Sequence, residues 1–163
     1  FNNLKKFSFL VHILADIFNK TPDVIAQKFN TSTSKKYCDL SHQLAIAIKK
    51  VARDKEASYE VKINTVKTLI EQGADVNFKN GNSPLEIAVL DLELVKDIDS
   101  LANSKQLIKL LLAHGAIATE AVFRFSRFSF FDLKENLMKN NVSPELIQSA
   151  QDEIIKLLIQ HAS

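Results

Sequence analysis

The sequence predicts an all-α protein, a solenoid of stacked helical hairpins with an N-terminal helical cap, and three observations favour this fold class. The 163 residues include only three Gly and three Pro, and 46% are hydrophobic, which is typical of long helices around a substantial core. Apolar residues recur at helical spacing along most of the chain. The segments VKTLIEQGA, IKLLLAHGA and IKLLIQHAS align without gaps at residues 66–74, 108–116 and 155–163. Their offsets of 42 and 47 residues indicate repeat units that bury their faces against one another.

The N-terminal cap is predicted over residues 1–36 as a pair of helices that covers the first repeat. The first helix is amphipathic, and its apolar face consists of Leu4, Phe7, Val11, Leu14 and Phe18. Thr21 and Pro22 start a second helix that ends near Asn30. The polar run TSTSKK at residues 31–36 is then predicted to be a linker between the cap and the repeats.

Three repeat units are predicted after the cap, at residues 37–80, 81–117 and 118–163, each with an inner and an outer helix. The segments SHQLAIAI (41–48) and NSPLEIAV (82–89) share the pattern Leu-x-Ile-Ala, and they are predicted to form the first two inner helices. Their small alanines suit closely packed helices. The three aligned segments are predicted to form the ends of the outer helices.

Residues with known capping chemistry mark the starts of these helices. Ser83 is predicted to be an N-cap, with Pro84 at the first helical position and Glu86 completing a capping box. Ser58 and Ser100 are predicted to cap the first two outer helices, each of roughly 14 residues.

Glycines mark the passage from the first unit to the second. Gly73 fits the position just after a helix end, where the backbone is left-handed and a Cβ atom would clash. Gly115 is the equivalent residue of the second unit. Asn80 and Gly81 form a strong signal for a tight turn, so the chain is predicted to turn there before it enters the second inner helix.

Residues 39–116 resemble the ankyrin repeat family. The family pattern runs through Thr-Pro-Leu-His-x-Ala, a pair of leucines and Gly-Ala-Asp-Val-Asn; here Ser83 stands for Thr and Glu86 for His, and GADVN at residues 73–77 matches fully. The units of this chain are longer than the family period of about 33 residues. The resemblance implies a module that binds other proteins through its turn tips and inner-helix groove. It also puts Asn77 at a position that asparaginyl hydroxylases modify in ankyrin proteins, although we expect this side chain to tie the turn together.

The resemblance implies nine candidate partner-binding residues on the turn and the inner helices. They are Lys49, Lys50, Phe78, Lys79, Asn80, Asn82, Glu86, Leu90 and Asp91. Lys49 and Lys50 of one unit are expected to face Leu90 and Asp91 of the next, which would form a groove of mixed charge. Charge reversal at Lys49 or Asp91 is then expected to weaken partner binding without lowering thermal stability.

The segment FRFSRFSFF at residues 123–131 contains five of the eleven phenylalanines of the chain. Two interpretations are open. In the first, the phenylalanines belong to the core beneath the last outer helix. In the second, they form an exposed patch for a partner, rimmed by Arg124 and Arg127, because large exposed apolar patches usually mark binding sites.

The sequence contains no catalytic constellation, cofactor motif or metal-binding motif, so we expect a protein that is not an enzyme. Phosphate-binding loops, nucleophile elbows and His-Glu-x-x-His are absent from it. The single cysteine, Cys38, excludes an internal disulfide and a Cys-based zinc site, and it is interpreted as a free thiol in a reducing compartment. His114 and His161 share one repeat position in the last turn of an outer helix, where attraction to the negative helix end explains them.

Charge and hydropathy exclude two classes of partner. The net charge is +2 and no segment is concentrated in Lys and Arg, which argues against a nucleic-acid-binding face. No run of 18 apolar residues occurs, which argues against insertion into a membrane.

Two functional hypotheses remain. The first is a cytoplasmic protein-interaction module with a protein partner; its richness in Lys, Asn, Ile and Phe is similar to host-directed effectors of intracellular bacteria, which enter a host cytosol, and to viral proteins. The alternative is a regulatory or substrate-targeting domain of a larger enzymatic or viral protein. The chain begins at Phe1 and its only methionine is Met138, so we expect a fragment, a processed product or a renumbered chain.

Overall fold

A computed structural model describes residues 22–54 and 56–162 of the chain, and this part is built from helices. The predicted all-α class is confirmed, since no strand occurs in either range. The elements in chain order are α1 Pro22–Arg53, α2 Tyr59–Glu71, α3 Pro84–Leu90, the 3₁₀ helix Asp91–Leu94, α4 Ile98–Ala113, α5 Glu120–Lys139 and α6 Pro144–Gln160. The amphipathic helix predicted before Thr21 lies outside the described residues.

The first described element, α1, is one continuous helix of 32 residues. The linker predicted at residues 31–36 is therefore wrong. No Gly or Pro follows Pro22 in α1, and Ser, Thr and Asn each cost only about 0.5 kcal/mol in a helix interior relative to Ala, so nothing in this run stops the helix. The chain divides into the compact units Phe1–Asp39 and Leu40–Ser163, and the packing described below belongs to the second.

Two of the three predicted helix starts are confirmed. The Ser58 hydroxyl accepts a 3.4 Å hydrogen bond from the backbone N–H of Val61 at the start of α2. At the start of α3, the Ser83 hydroxyl accepts from the N–H of Glu86 (3.3 Å), and the Glu86 carboxylate accepts from the N–H of Ser83 (3.0 Å). All three backbone donors would otherwise be unpaired, so these caps fix where the helices begin.

The third predicted start, a cap by Ser100, is wrong. Helix α4 begins at Ile98, and its N-cap is Asp97, whose carboxylate accepts a 2.7 Å hydrogen bond from the N–H of Ser100. The Ser100 hydroxyl accepts in return from the N–H of Asp97 at 3.2 Å. Ser100 thus takes the place that Glu86 takes in α3, three residues after the cap.

Three helices end with the same hydrogen-bond pattern, known as the Schellman motif. The residue that follows each C-cap has a positive φ angle: 97° at Gly73, 87° at Gly115 and 62° at Asn141. In each case the following N–H bonds back to the last full turn at 3.0 Å: Ala74 N to Leu69 O, Ala116 N to Leu111 O, and Val142 N to Leu137 O. The left-handed positions predicted at both glycines are confirmed, and Asn141 is a third that the repeats did not reveal.

The helices of the second unit pack around one continuous core. Helix α3 contacts α4 and α5, α5 contacts α6 and the 3₁₀ helix, and α4 contacts α6. Each element supplies side chains with almost no exposed surface, among them Leu44, Ile48, Leu85, Leu92, Ile108, Leu111, Leu133, Leu137, Ile147, Ile154 and Leu158. Burial of each such side chain contributes about 1.5–3 kcal/mol, so this core holds the turns and helix faces that could form a site.

Polar contacts join α2 to α4 and α4 to α6. The Tyr59 hydroxyl on α2 donates a 2.9 Å hydrogen bond to the Asn103 carbonyl on α4. Lys105 and Lys109 on α4 both donate to the carboxylate of Glu153 on α6, Lys109 at 2.7 Å. These hydrogen bonds hold the pKa of Glu153 at about 2, well below its usual range.

Candidate functional site

The loop between α2 and α3 forms a compact turn whose tip is exposed. The Asp75 carboxylate accepts a 2.8 Å hydrogen bond from the N–H of Asn77. Asn80 and Asn82 then form a short antiparallel bridge around Gly81, whose φ angle is +87°. The tight turn predicted at Asn80 and Gly81 is thus confirmed. Lys79, Asn80 and Asn82 are exposed, and Phe78 is half-buried.

Asn77 connects this turn to the loop that follows α4. Its side-chain amide donates a 2.8 Å hydrogen bond to the carbonyl of Gly115. Its side-chain oxygen accepts a 2.9 Å hydrogen bond from the N–H of Ile117. We expected a tie within the turn; the side-chain bonds instead link two successive loops and hold them at a fixed spacing.

Glu86 is buried, so the expectation that it faces a partner is wrong. Only 1% of its surface is exposed. One carboxylate oxygen accepts from the N–H of Ser83 in the capping box. The other lies 3.2 Å from the Lys79 ammonium group, an ion-pair contact without hydrogen-bond geometry. The capping role that the sequence predicted for Glu86 draws its side chain inward and removes it from the surface.

Asp91 is also buried, with 4% of its surface exposed, so the predicted mixed-charge groove is wrong in this part. Arg53, at the end of α1, donates a 2.9 Å hydrogen bond to its carboxylate. Burial raises the pKa of Asp91, although the Arg53 hydrogen bond and the charge of Lys49 act in the opposite direction. The neighbouring Leu90 is half-buried, and its carbonyl accepts from the Ser129 hydroxyl at 3.5 Å.

A cavity of about 290 Å³ brings four of the nine candidates together. Lys49 of α1 lines it from one side, and Phe78, Asn80 and Asn82 of the turn line it from the other. Lys50, although exposed, lines a different cavity. We call the 290 Å³ cavity the α1–turn groove.

Two exposed side chains of the α1–turn groove, both on α1, are not among the nine candidates. His42 and Ile46 line the groove beside Lys49. Both lie on the same face of α1, seven and three residues before Lys49, so helical spacing was the signal that could have identified them. Ile46 is exposed and apolar, which adds a hydrophobic contact surface to the positive charge of Lys49.

The phenylalanine-rich segment lies within α5, and its phenylalanines divide between the core and the surface. Phe123, Phe125 and Phe130 pack against the core. Phe128 and Phe131 are 68% and 71% exposed. The side of α5 that faces inward carries small buried residues in this segment, Ser126 and Ser129, and these allow α5 to approach α3 closely.

Two histidines and the cysteine are the remaining residues that could support chemistry, and both histidines have structural partners. His114 and His161 each direct Nδ1 at a carbonyl oxygen of the preceding turn, at 2.8 and 3.0 Å. Cys38 is an exposed free thiol. Residues 35–54 and 56–162, whose side chains the structure describes, contain no group of three His, Cys, Asp or Glu side chains that could hold a metal ion.

None of the helices in the described ranges combines the length and the apolar character that crossing a bilayer requires. Comparisons with protein-family models, with curated proteins and with solved structures found no match for this chain.

Proposed function

We propose that this chain is a protein-interaction module, a solenoid of ankyrin-like helical hairpins that binds a protein partner in the α1–turn groove. The proposal rests on one observation: Lys49 from an inner helix and Phe78, Asn80 and Asn82 from a turn line the same cavity. A groove between inner helices and turn tips is the surface that the ankyrin resemblance implies for binding.

The repeated local structure supports the ankyrin-like interpretation. The helix ends at Gly73 and Gly115 have the same hydrogen bonds at equivalent sequence positions. Asn77 ties the two successive loops. The contacts of α4 with α6 and of α3 with α5 are those expected when one helix pair stacks on the next.

The groove favours a partner that presents an acidic side chain beside an apolar one. Its exposed charge is positive, because Lys49 is exposed whereas the nearby Asp91 is buried and paired with Arg53. Ile46 and Phe78 supply apolar surface, and the amides of Asn80 and Asn82 can donate and accept hydrogen bonds. We infer a reducing cytoplasm as its compartment, because the exposed Cys38 is the only cysteine.

The test compares groove variants with a matched surface variant in affinity purification followed by mass spectrometry. Lys49→Glu and Phe78→Ala change the groove, and Lys67→Glu makes the same charge change on an exposed position of α2 outside it. We expect a captured partner to be lost with both groove variants and kept with Lys67→Glu, while circular dichroism of Lys49→Glu reports folded protein. Equal capture by all variants, or no specific capture by the wild type, would contradict the proposal.

A further inference from the structure

The outward side of α5 carries a palindromic set of exposed side chains. The set, which we call the α5 face, consists of Arg124, Arg127, Phe128, Phe131, Asp132 and Glu135. Its midpoint lies between residues 129 and 130. At equal distances from this midpoint, Phe128 is matched by Phe131, the positive Arg124 by the negative Glu135, and the positive Arg127 by the negative Asp132.

This order is self-complementary for two antiparallel copies of the helix. A two-fold axis at the midpoint brings Phe128 of one copy to Phe131 of the second, and Arg124 to Glu135 of the second. Symmetry makes each of these contacts occur twice. At 3.6 residues per turn, these four side chains lie within a stripe about 60° wide. Arg127 and Asp132 lie on either side of the stripe, so they flank the contact.

The α5 face inverts the usual distribution of residues on a surface helix. Ser126 and Ser129 are buried against the core, whereas two phenylalanines are about 70% exposed. Adjacent exposed aromatic side chains favour a partner that removes them from water. The two arginines are balanced by two carboxylates, so the α5 face lacks the excess positive charge that nucleic acid or an anionic membrane would select.

We propose that the α5 face binds a second copy of this chain through an antiparallel α5–α5 contact. This inference does not rest on the proposed function, since no residue of the α1–turn groove takes part. The ion pair of Glu135 with Lys139 (2.9 Å) joins two exposed side chains one turn apart. Such pairs are weak, so Glu135 is free to exchange it for Arg124 of the second copy.

The dimer is expected to be weak. Four phenylalanines and two ion pairs form a smaller contact than the roughly 800 Å² per partner of a standard interface. The exposed Met138, two turns after Phe131, extends it slightly. We therefore expect a dissociation constant on the order of micromolar to tens of micromolar, which sedimentation velocity resolves with protein between about 1 μM and 1 mM.

The test uses charge swaps on the 163-residue chain. Arg124→Glu and Glu135→Arg each place like charges opposite one another, so each variant alone should dimerise at least about tenfold more weakly. An equimolar mixture restores both ion pairs and should form a heterodimer. Phe128→Ser combined with Phe131→Ser should abolish dimerisation, and Lys67→Glu on α2 is the control that leaves it unchanged.

Because these side chains are exposed, circular dichroism and thermal unfolding should report folded protein for every variant. A wild-type chain that stays monomeric to about 1 mM overturns the proposal. Single charge variants that dimerise as well as the wild type also overturn it. If the single variants are monomeric and their mixture fails to dimerise, the antiparallel pairing is wrong.

Discussion

Arg53 donates a 2.9 Å hydrogen bond to the carboxylate of Asp91, and the two residues differ sharply in their surroundings. The Arg53 side chain is 57% exposed, whereas that of Asp91 is 5% exposed. The pair joins the end of α1 to the 3₁₀ helix. Removing the exposed partner therefore leaves a buried carboxylate without its cation, whereas removing the buried partner leaves only a solvated guanidinium group.

From this asymmetry we expect Arg53→Ala to lower the free energy of unfolding by about 1–3 kcal/mol, the cost of an unsatisfied buried group. Asp91→Asn keeps the shape of the side chain and removes its charge, so it should cost less. Asp91→Lys should destabilise the fold because Asp91 is buried. The sequence analysis, which places Asp91 on the surface, predicts no loss of thermal stability for the same change. Urea unfolding measures all three, and a neutral Arg53→Ala would show that solvent already satisfies the Asp91 carboxylate.

The bridge made by Asn77 leads to a second prediction. Asn77→Ala removes one donor and one acceptor that join the α2–α3 loop to Gly115 and Ile117. The two bonds are exposed, so we expect a loss of about 1 kcal/mol in the free energy of unfolding. Asn80→Ala, at the exposed tip of the same turn, is the matched control and should be nearly neutral. If both variants lose the same stability, the bridge has no specific role.

The helix ends at Gly115 and Asn141 predict effects of opposite sign. No atom other than those of Gly115 and its two chain neighbours lies within 4 Å of the position that a Cβ at Gly115 would occupy, so Gly115→Ala is opposed only by its φ angle of +87°. The left-handed conformation costs about 1–2 kcal/mol for a residue with a Cβ, and we expect a destabilisation of that size. Asn141, at φ 62°, already bears this strain, so Asn141→Gly should raise stability by up to about 1 kcal/mol. Thermal and urea unfolding of the two variants check the signs.

Local chemistry explains which parts of the fold could be predicted from the sequence. The caps at Ser58 and Ser83 and the turn at Gly81 depend on neighbouring residues, and all three are present. The cap predicted at Ser100 is wrong because Asp97, three positions earlier, is also a good N-cap residue, and the hydrogen bonds between the two place Asp97 at the cap of α4.

The candidate site was harder to predict, because burial of a charged side chain depends on distant partners. The ankyrin resemblance places Glu86 and Asp91 among the exposed candidates, and charged residues are normally exposed. Asp91 is buried because Arg53, 38 residues earlier in the chain, reaches it. Four of the other predicted residues, Lys49 of α1 and Phe78, Asn80 and Asn82 of the turn, line one cavity.

The last prediction concerns the aligned segments of α4 and α6, in which residues at equivalent positions are buried to different extents. Ile108 on α4 is fully buried, whereas the aligned Ile155 on α6 is 36% exposed. Helix α4 has α6 packed against it, and no described helix follows α6. Ile108→Ala should therefore cost about 2–5 kcal/mol through the cavity it leaves, and Ile155→Ala about 1 kcal/mol or less. Equal losses in urea unfolding would mean that the outer side of α6 is covered in solution.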